Sequence, residues 1–223
     1  MSRKPEGYFG QQGAAADTSD VNAAEFQIQQ ALLKVRTTVP VKIIAVHGGG
    51  TGGAPATVDV QPLINQIDGQ GNKTDHGIIY GIPTTRSQSG SAGIVMDPSV
   101  GDIGVMSIAD RDISSLKSNK GGQSNPGSFR THDLADGIYT HTILSAQALT
   151  KFIHLSGDGI SMQDEHGNKV SSSGGGWNFN GVVIDRSGNI STPGGITAGA
   201  GGGDSVTLQQ HRHAGSPPPD PGT

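Results

Sequence analysis

The chain has 223 residues, 32% of them apolar in a broad count, 4% aromatic and 15% charged, with 36 Gly, 12 Pro and no Cys. That length leaves room for one or two modest domains, and the missing cysteines exclude disulfide frameworks, thiolate metal sites and catalytic thiols. A formal net charge of -4 and a pI near 6.0, without Lys/Arg clusters, lack the footprint of a nucleic-acid binder, so no nucleic-acid partner is expected. The first residues hold no apolar core of signal-peptide length, and no run reaches the roughly 18 apolar residues of a transmembrane helix. Synthesis in the cytoplasm without a membrane-spanning helix is the expectation. Ile, Val, Leu and Phe together number only 47 of 223, close to the roughly 20% below which chains lose a core of their own. The charge is nevertheless too low for a disordered polyelectrolyte. A chain of this kind orders by finding part of its core in other chains.

Residues 1–19 form a polar leader rich in Gly, Gln, Ala and Ser, read as a mobile arm. Ser19 or Asp20 can cap a helix running through Ala23, Phe26 and Leu33 and ending before the Thr37-Thr38-Val39-Pro40 run. Its apolar face is sufficient to dock on a sheet and weak for a free helix. The period then changes to that of strands. Residues 39–46, 56–64, 76–83, 91–96 and 100–110 alternate or run apolar between Gly-rich turns such as Gly48 to Gly53. Five or six short strands in about 75 residues indicate a small closed barrel of the OB type or a related Greek key. Gly101 and Gly104 suit barrel corners or bulges.

Residues 117–136 are a long polar loop that marks a boundary, and beyond it the texture changes. Asp164-Glu165-His166-Gly167-Asn168 and Asp185-Arg186-Ser187-Gly188-Asn189 are one Asp-x-x-Gly-Asn turn repeated 21 residues apart, each with a short apolar strand entering and leaving it. Residues 171–203 hold 11 Gly in 33 positions. A monomeric core is not expected of that composition, whereas three chains wound around one axis can share a thin one.

Near the C-terminus stands His211-Arg212-His213. In an extended strand residues i and i+2 point the same way, so both imidazoles can face one point. Meeting on a threefold axis, such pairs would supply an octahedral cage of imidazole nitrogens. Six-coordination disfavours tetrahedral zinc and makes iron the first choice, with nickel or cobalt as chemical substitutes. Strict alternation from Val206 and Leu208 would send His211 away from the axis, so a bulge or bend at Gln209-Gln210 is expected to turn both His211 and His213 inward. Taken alone, such a pair more often belongs to a solvated polar tail than to a metal site.

The order of motifs, from ATVDVQPLI through GIPTTRSQSGSAGIVMDPSVGDIGVMSIADRDIS, DLADGIY and GVVIDRSGNISTPGGITAG to VTLQQHRHAG, resembles the central baseplate spike proteins of contractile-tail bacteriophages, the membrane-piercing baseplate assembly protein V type. The resemblance covers most of residues 20–214. It implies a mainly β chain in which an N-terminal OB-fold barrel docks on a baseplate hub protein and an intertwined, homotrimeric β-helix narrows to a metal-capped apex. It also implies an iron ion at that apex, one per trimer, held by His211 and His213 of each chain. The expected divisions are a leader (1–19), a helix plus OB-fold hub-docking domain (20–116), a connector (117–149), the trimeric β-helix (150–203) and the apex with its Pro-rich tail (204–223). The location implied is the virion tail baseplate, after synthesis in the host cytoplasm, and the host outer membrane is a transient mechanical partner. No catalytic site is expected. A metal-dependent cell-wall hydrolase and a receptor-binding tail fibre are the alternatives.

Other residues read more plainly. His47, His76, His132, His141, His154 and His166 show no ligand spacing and are expected to be solvated or turn histidines. Asp110-Arg111-Asp112 reads as an exposed ion-pair cluster. The Gly-rich run 48–53 lacks the Lys-Ser/Thr of a phosphate cradle. Trp177 reads as a packing plug between chains rather than a sugar platform.

Overall fold

The computed structural model describes residues 16, 18–67, 72–119, 122–145, 147–198 and 206–207. The chain is mainly β, with open antiparallel sheets, and divides into two compact units, Met1–Gln147 and Ala148–Thr223.

The first unit begins with helix α1 (Asp20–Leu32), capped where expected: the Ser19 hydroxyl accepts from Asn22 N at 3.2 Å. No residue of α1 is fully buried. Ala23, Phe26 and Gln30 are half-buried, while Val21, Ile28 and Leu32 face solvent. Among the described residues nine strands follow: β1 (Thr38–His47), β2 (Thr57–Pro62), β3 (Gln66–Ile67), β4 (Lys73–Thr74), β5 (Ile79–Pro83), β6 (Ser87–Ser89), β7 (Ala92–Ile94), β8 (Ile103–Ile108) and β9 (Gly137–Leu144). A short helix α2 (Ser114–Ser118) and a 3-10 turn (Leu134–Asp136) lie between the last two.

Five strands make one sheet in the order β5-β2-β1-β8-β9. Its outer strands meet through a parallel bridge between Thr84 and Tyr139, reinforced by Thr85 N donating to Tyr139 O at 3.0 Å. Strands β3 with β4 and β6 with β7 form two-stranded hairpins outside this sheet. The segment 91–96, read as one of the barrel strands, thus pairs locally instead. The fifth strand comes from Gly137–Leu144, within the stretch read as connector. Its inward residues are few and its outer half is polar or exposed, which hides the strand period behind the polar loop preceding it.

The core shows why these strands form. Strand β2 alternates half-buried and buried residues along its whole length, the period of a sheet with one covered face. Val41, Ile43, Val58, Val60, Ile82, Met106 and Tyr139 make one buried cluster. Gly104 is required by that cluster: a Cβ there would collide with the Tyr139 hydroxyl and the His141 carbonyl. The β8–β9 register shifts at this glycine, as its spacing led one to expect of a bulge site.

The second unit is a meander. Strands β10 (Phe152–Ser156), β11 (Gly159–Gln163), β12 (Lys169–Ser173), β13 (Gly176–Phe179), β14 (Val182–Asp185) and β15 (Ile190–Ser191) pair antiparallel, each with its sequence neighbour. A final two-stranded piece joins β16 (Thr197–Ala198) to β17 (Val206–Thr207).

Candidate functional site

Paired residues of an antiparallel sheet share a face, so the register of the meander assigns every side chain. Ile153 pairs Met162, which pairs Val170, which pairs Phe179, which pairs Val182. A second row runs Leu155 to Ile160 in one hairpin, then Ser172 to Trp177 to Ile184 to Ile190. With Ser172 as the exception, every residue of these two rows is apolar. The other face carries His154, Ser161, Ser171, Asn178, Val183 and Ser191, with Phe152, Gln163, Lys169 and Asp185 beside them, and is mostly polar.

Much of the apolar face is exposed. Leu155 is 72% and Ile153 63% exposed, and Ile160, Met162, Trp177, Phe179 and Ile190 are exposed as well, while Val170 and Ile184 are half-buried. On the opposite face Ser161, Gln163, Ser171 and Asn178 are half-buried and His154, Lys169 and Ser191 exposed, and the Ser161 hydroxyl is buried without a partner. Among the described residues of this unit none of the apolar side chains is fully buried. Trp177 and Phe179 stack side by side, centroids 6.3 Å apart and planes at 30°. Ser172 is accounted for within the sheet: its hydroxyl accepts from Ile160 N at 3.0 Å. A contiguous face of this kind on one chain marks an interaction surface.

The two Asp-x-x-Gly-Asn turns hold the strands that build this face, and they are the same structure twice. Asp164 Oδ1 accepts from His166 N and Asn168 N at 2.9 and 2.8 Å, and its Oδ2 accepts from Asn168 Nδ2 at 2.7 Å. Asp185 does likewise with Ser187 N, Asn189 N and Asn189 Nδ2, at 2.8, 2.9 and 2.8 Å. Gly167 and Gly188 both sit at φ 85°, in the left-handed region that glycine enters without strain. Hydrogen bonds to the ionised form, the asparagine side chain's first, hold both carboxyls below the ordinary carboxylate range. These carboxylates are occupied by N–H donors and serve as turn locks.

In the first unit the polar chemistry is likewise structural. Arg130 donates from Nε to Asp136 Oδ2 at 2.6 Å and from Nη2 to Asp112 Oδ1 at 2.9 Å and Asp136 Oδ1 at 2.8 Å. Asp112 and Asp136 are buried. The reading of Asp110-Arg111-Asp112 as an exposed cluster therefore fails at Asp112: Asp110 and Arg111 are exposed, but Asp112 turns inward to a partner 18 residues away. Proximity in sequence concealed that partner. Hydrogen bonds from Ser114 and then Ser128 lower Asp112 to about 2, and the Arg130 hydrogen bond lowers Asp136. Arg86, its side chain 8% exposed, donates to the carbonyls of Gly50 and Gly53 at 2.9 Å and fastens the Gly-rich loop 48–53. His47 Nε2 lies 2.9 Å from Asp59 Oδ2, and His132 Nδ1 lies 3.1 Å from the Arg36 carbonyl.

His211 and His213, with the bulge expected at Gln209-Gln210, lie outside the described residues. Among the described residues there is no group of three or more His, Asp or Glu able to hold a metal, and no helix is long and apolar enough to cross a membrane. The apolar face, the element that matters most here, was only half legible beforehand: the alternation was visible, but its full composition needs the register. No protein-family model and no curated protein sequence matches the chain.

Proposed function

We propose that the chain is the central spike of a contractile-tail phage baseplate, a homotrimer driven through the host outer membrane when the sheath contracts. One observation carries the trimer: a six-stranded sheet whose apolar face, from Ile153 to Ile190, lies in solvent when the chain is alone. Burying such a face is worth about 25 cal/mol per Å² of apolar surface, and three copies turned inward on one axis bury it mutually. The Gly-rich turns and repeated Asp locks allow the strands to wind around that axis as an intertwined β-helix. The sheet order β5-β2-β1-β8-β9 with its parallel Thr84–Tyr139 bridge supports an OB-type barrel in the first unit, the element that seats the spike on a hub protein. The order of sequence motifs supports the phage assignment.

The reading needs no turnover chemistry. Sheath contraction supplies force, and an interwound trimer resists local unfolding because its chains must separate together. At the apex, His211 and His213 of each chain fit iron by the chemistry of their donors, neutral imidazoles in sixfold number. A bound ion would cross-link the three chains where the least apolar surface is available. Light scattering of the purified protein should give three times 22.7 kDa, and elemental analysis should give one metal per trimer. The double variant His211→Ala/His213→Ala should lose the metal and keep the trimer. A monomer under native conditions overturns the proposal.

A further inference from the structure

The first unit holds one side chain whose placement the barrel does not explain. Phe129 is 102% exposed, yet both of its neighbours are pinned. Ser128 Oγ donates to Asp112 Oδ2 at 2.6 Å, and Arg130 is clasped by Asp112 and Asp136. Asp112 follows β8 closely and Asp136 immediately precedes β9, so the clasp ties the long β8–β9 connection to the ends of its own strands. The aromatic ring is thus held out in water by a segment fastened on both sides of it. Such preorganisation lowers the ordering cost of docking and is how interface anchors are built.

The same barrel end offers a receptor. Leu63 N donates to the Pro40 carbonyl and Ile108 N to the Thr37 carbonyl, so β2 and β8 both finish where β1 begins. From there the β2–β5 connection leaves on one side of β1 and the β8–β9 connection on the other. The first of these connections exposes Leu63, Ile64, Ile67 and Ile78. A threefold ring requires two different surfaces per copy, one meeting the other on the next copy. An apolar knob and an apolar patch, at one level and on opposite flanks, satisfy that requirement.

We infer that Phe129 of each copy docks on the Leu63, Ile64, Ile67 and Ile78 patch of the next copy, making a second, head-to-tail trimer contact in the barrel unit. This inference rests on the proposed trimer, but it concerns different residues from the sheet face. It is tested in the full-length protein carrying p-benzoyl-L-phenylalanine in place of Phe129, a bulkier aromatic that a fully exposed position accepts. Irradiation should yield crosslinked dimers and trimers in denaturing gels, and mass spectrometry should place the linked peptide between residues 63 and 78. A particle of trimer mass with no interchain crosslink, or with links elsewhere or to another protein only, overturns the inference and leaves the trimer standing. A particle of monomer mass overturns both. As a second measurement, Phe129→Asp should leave the thermal midpoint of a dilute, dissociated sample unchanged while weakening the trimer at least tenfold. An unchanged trimer affinity defeats the contact.

Discussion

The two units solve the burial problem in opposite ways. In the first, Val41, Ile43, Val58, Val60, Ile82 and Met106 are fully buried within one chain. In the second, a sheet of comparable strand number turns its apolar rows outward. The contrast comes from topology as much as from composition. The outer strands of the first sheet are linked by a bridge at Thr84 and Tyr139, and one face of that sheet is buried within the chain. The second only ever pairs a strand with its sequence neighbour, and a plain meander has no element to lay across its own apolar side. A single chain therefore buries a core in the first unit, whereas the second leaves an apolar face that the proposed trimer would cover.

The sharpest way to break this contrast is Phe179→Glu, which sets a carboxylate in the middle of the apolar face. Burial of unpaired charge costs on the order of several kcal/mol, repeated in each copy of the proposed trimer. Light scattering should show dissociation, while the first unit keeps its circular dichroism and its unfolding transition. A Phe179→Glu protein whose trimer affinity is unchanged would show that the face is not the seam. Next in size is Ile43→Ala, which opens a cavity in the enclosed core at a cost of about 2–5 kcal/mol. It should lower the first unit's unfolding transition and leave the second unit's in place, as measured by calorimetry. If both transitions move together, the units are not independent.

A smaller effect is expected of Gly104→Ala, whose added methyl meets the Tyr139 hydroxyl and the His141 carbonyl; overpacking of this kind costs roughly 1–3 kcal/mol. Tyr139→Phe, which removes the hydroxyl, should recover part of the loss if that collision is its cause. Acid should act on Asp112. Hydrogen bonds from Ser114 and Ser128, with the Arg130 charge a smaller cause, lower it from 3.8 to about 2 in the folded chain, so its ionised form stabilises the fold fully above the unfolded value. That contribution disappears as the pH falls through the folded one. The stability gap between the unmodified protein and Asp112→Asn should accordingly narrow between about pH 4 and pH 2, followed by denaturant titration. A gap constant across that range would show that these contacts do not favour the ionised carboxylate. The smallest effects belong to Asp164→Ala and Asp185→Ala. Because the two turns make matching hydrogen bonds, the two losses should be equal, and unequal thermal midpoints would show that the turns carry different loads.

Period and turn chemistry are local properties, and much of the molecule was readable from them. Ser19 capped α1 as its position indicated, and β1, β2, β5 and β8 fell on the alternating segments. The Asp164 and Asp185 turns matched because an Asp-x-x-Gly-Asn run contains all the donors and acceptors it uses. Contacts between distant residues were not readable in this way. Asp112 seemed one of three surface charges until Arg130 closed on it, and Gly137–Leu144 passed for connector until β8 supplied its partner. The division between the units follows the same rule. Composition alone showed that core residues were scarce, since hydrophobic burial scales with the number of apolar side chains available. Which apolar rows would be enclosed and which left in solvent depended on strand order and register, because only pairing determines whether a face acquires something to lie against.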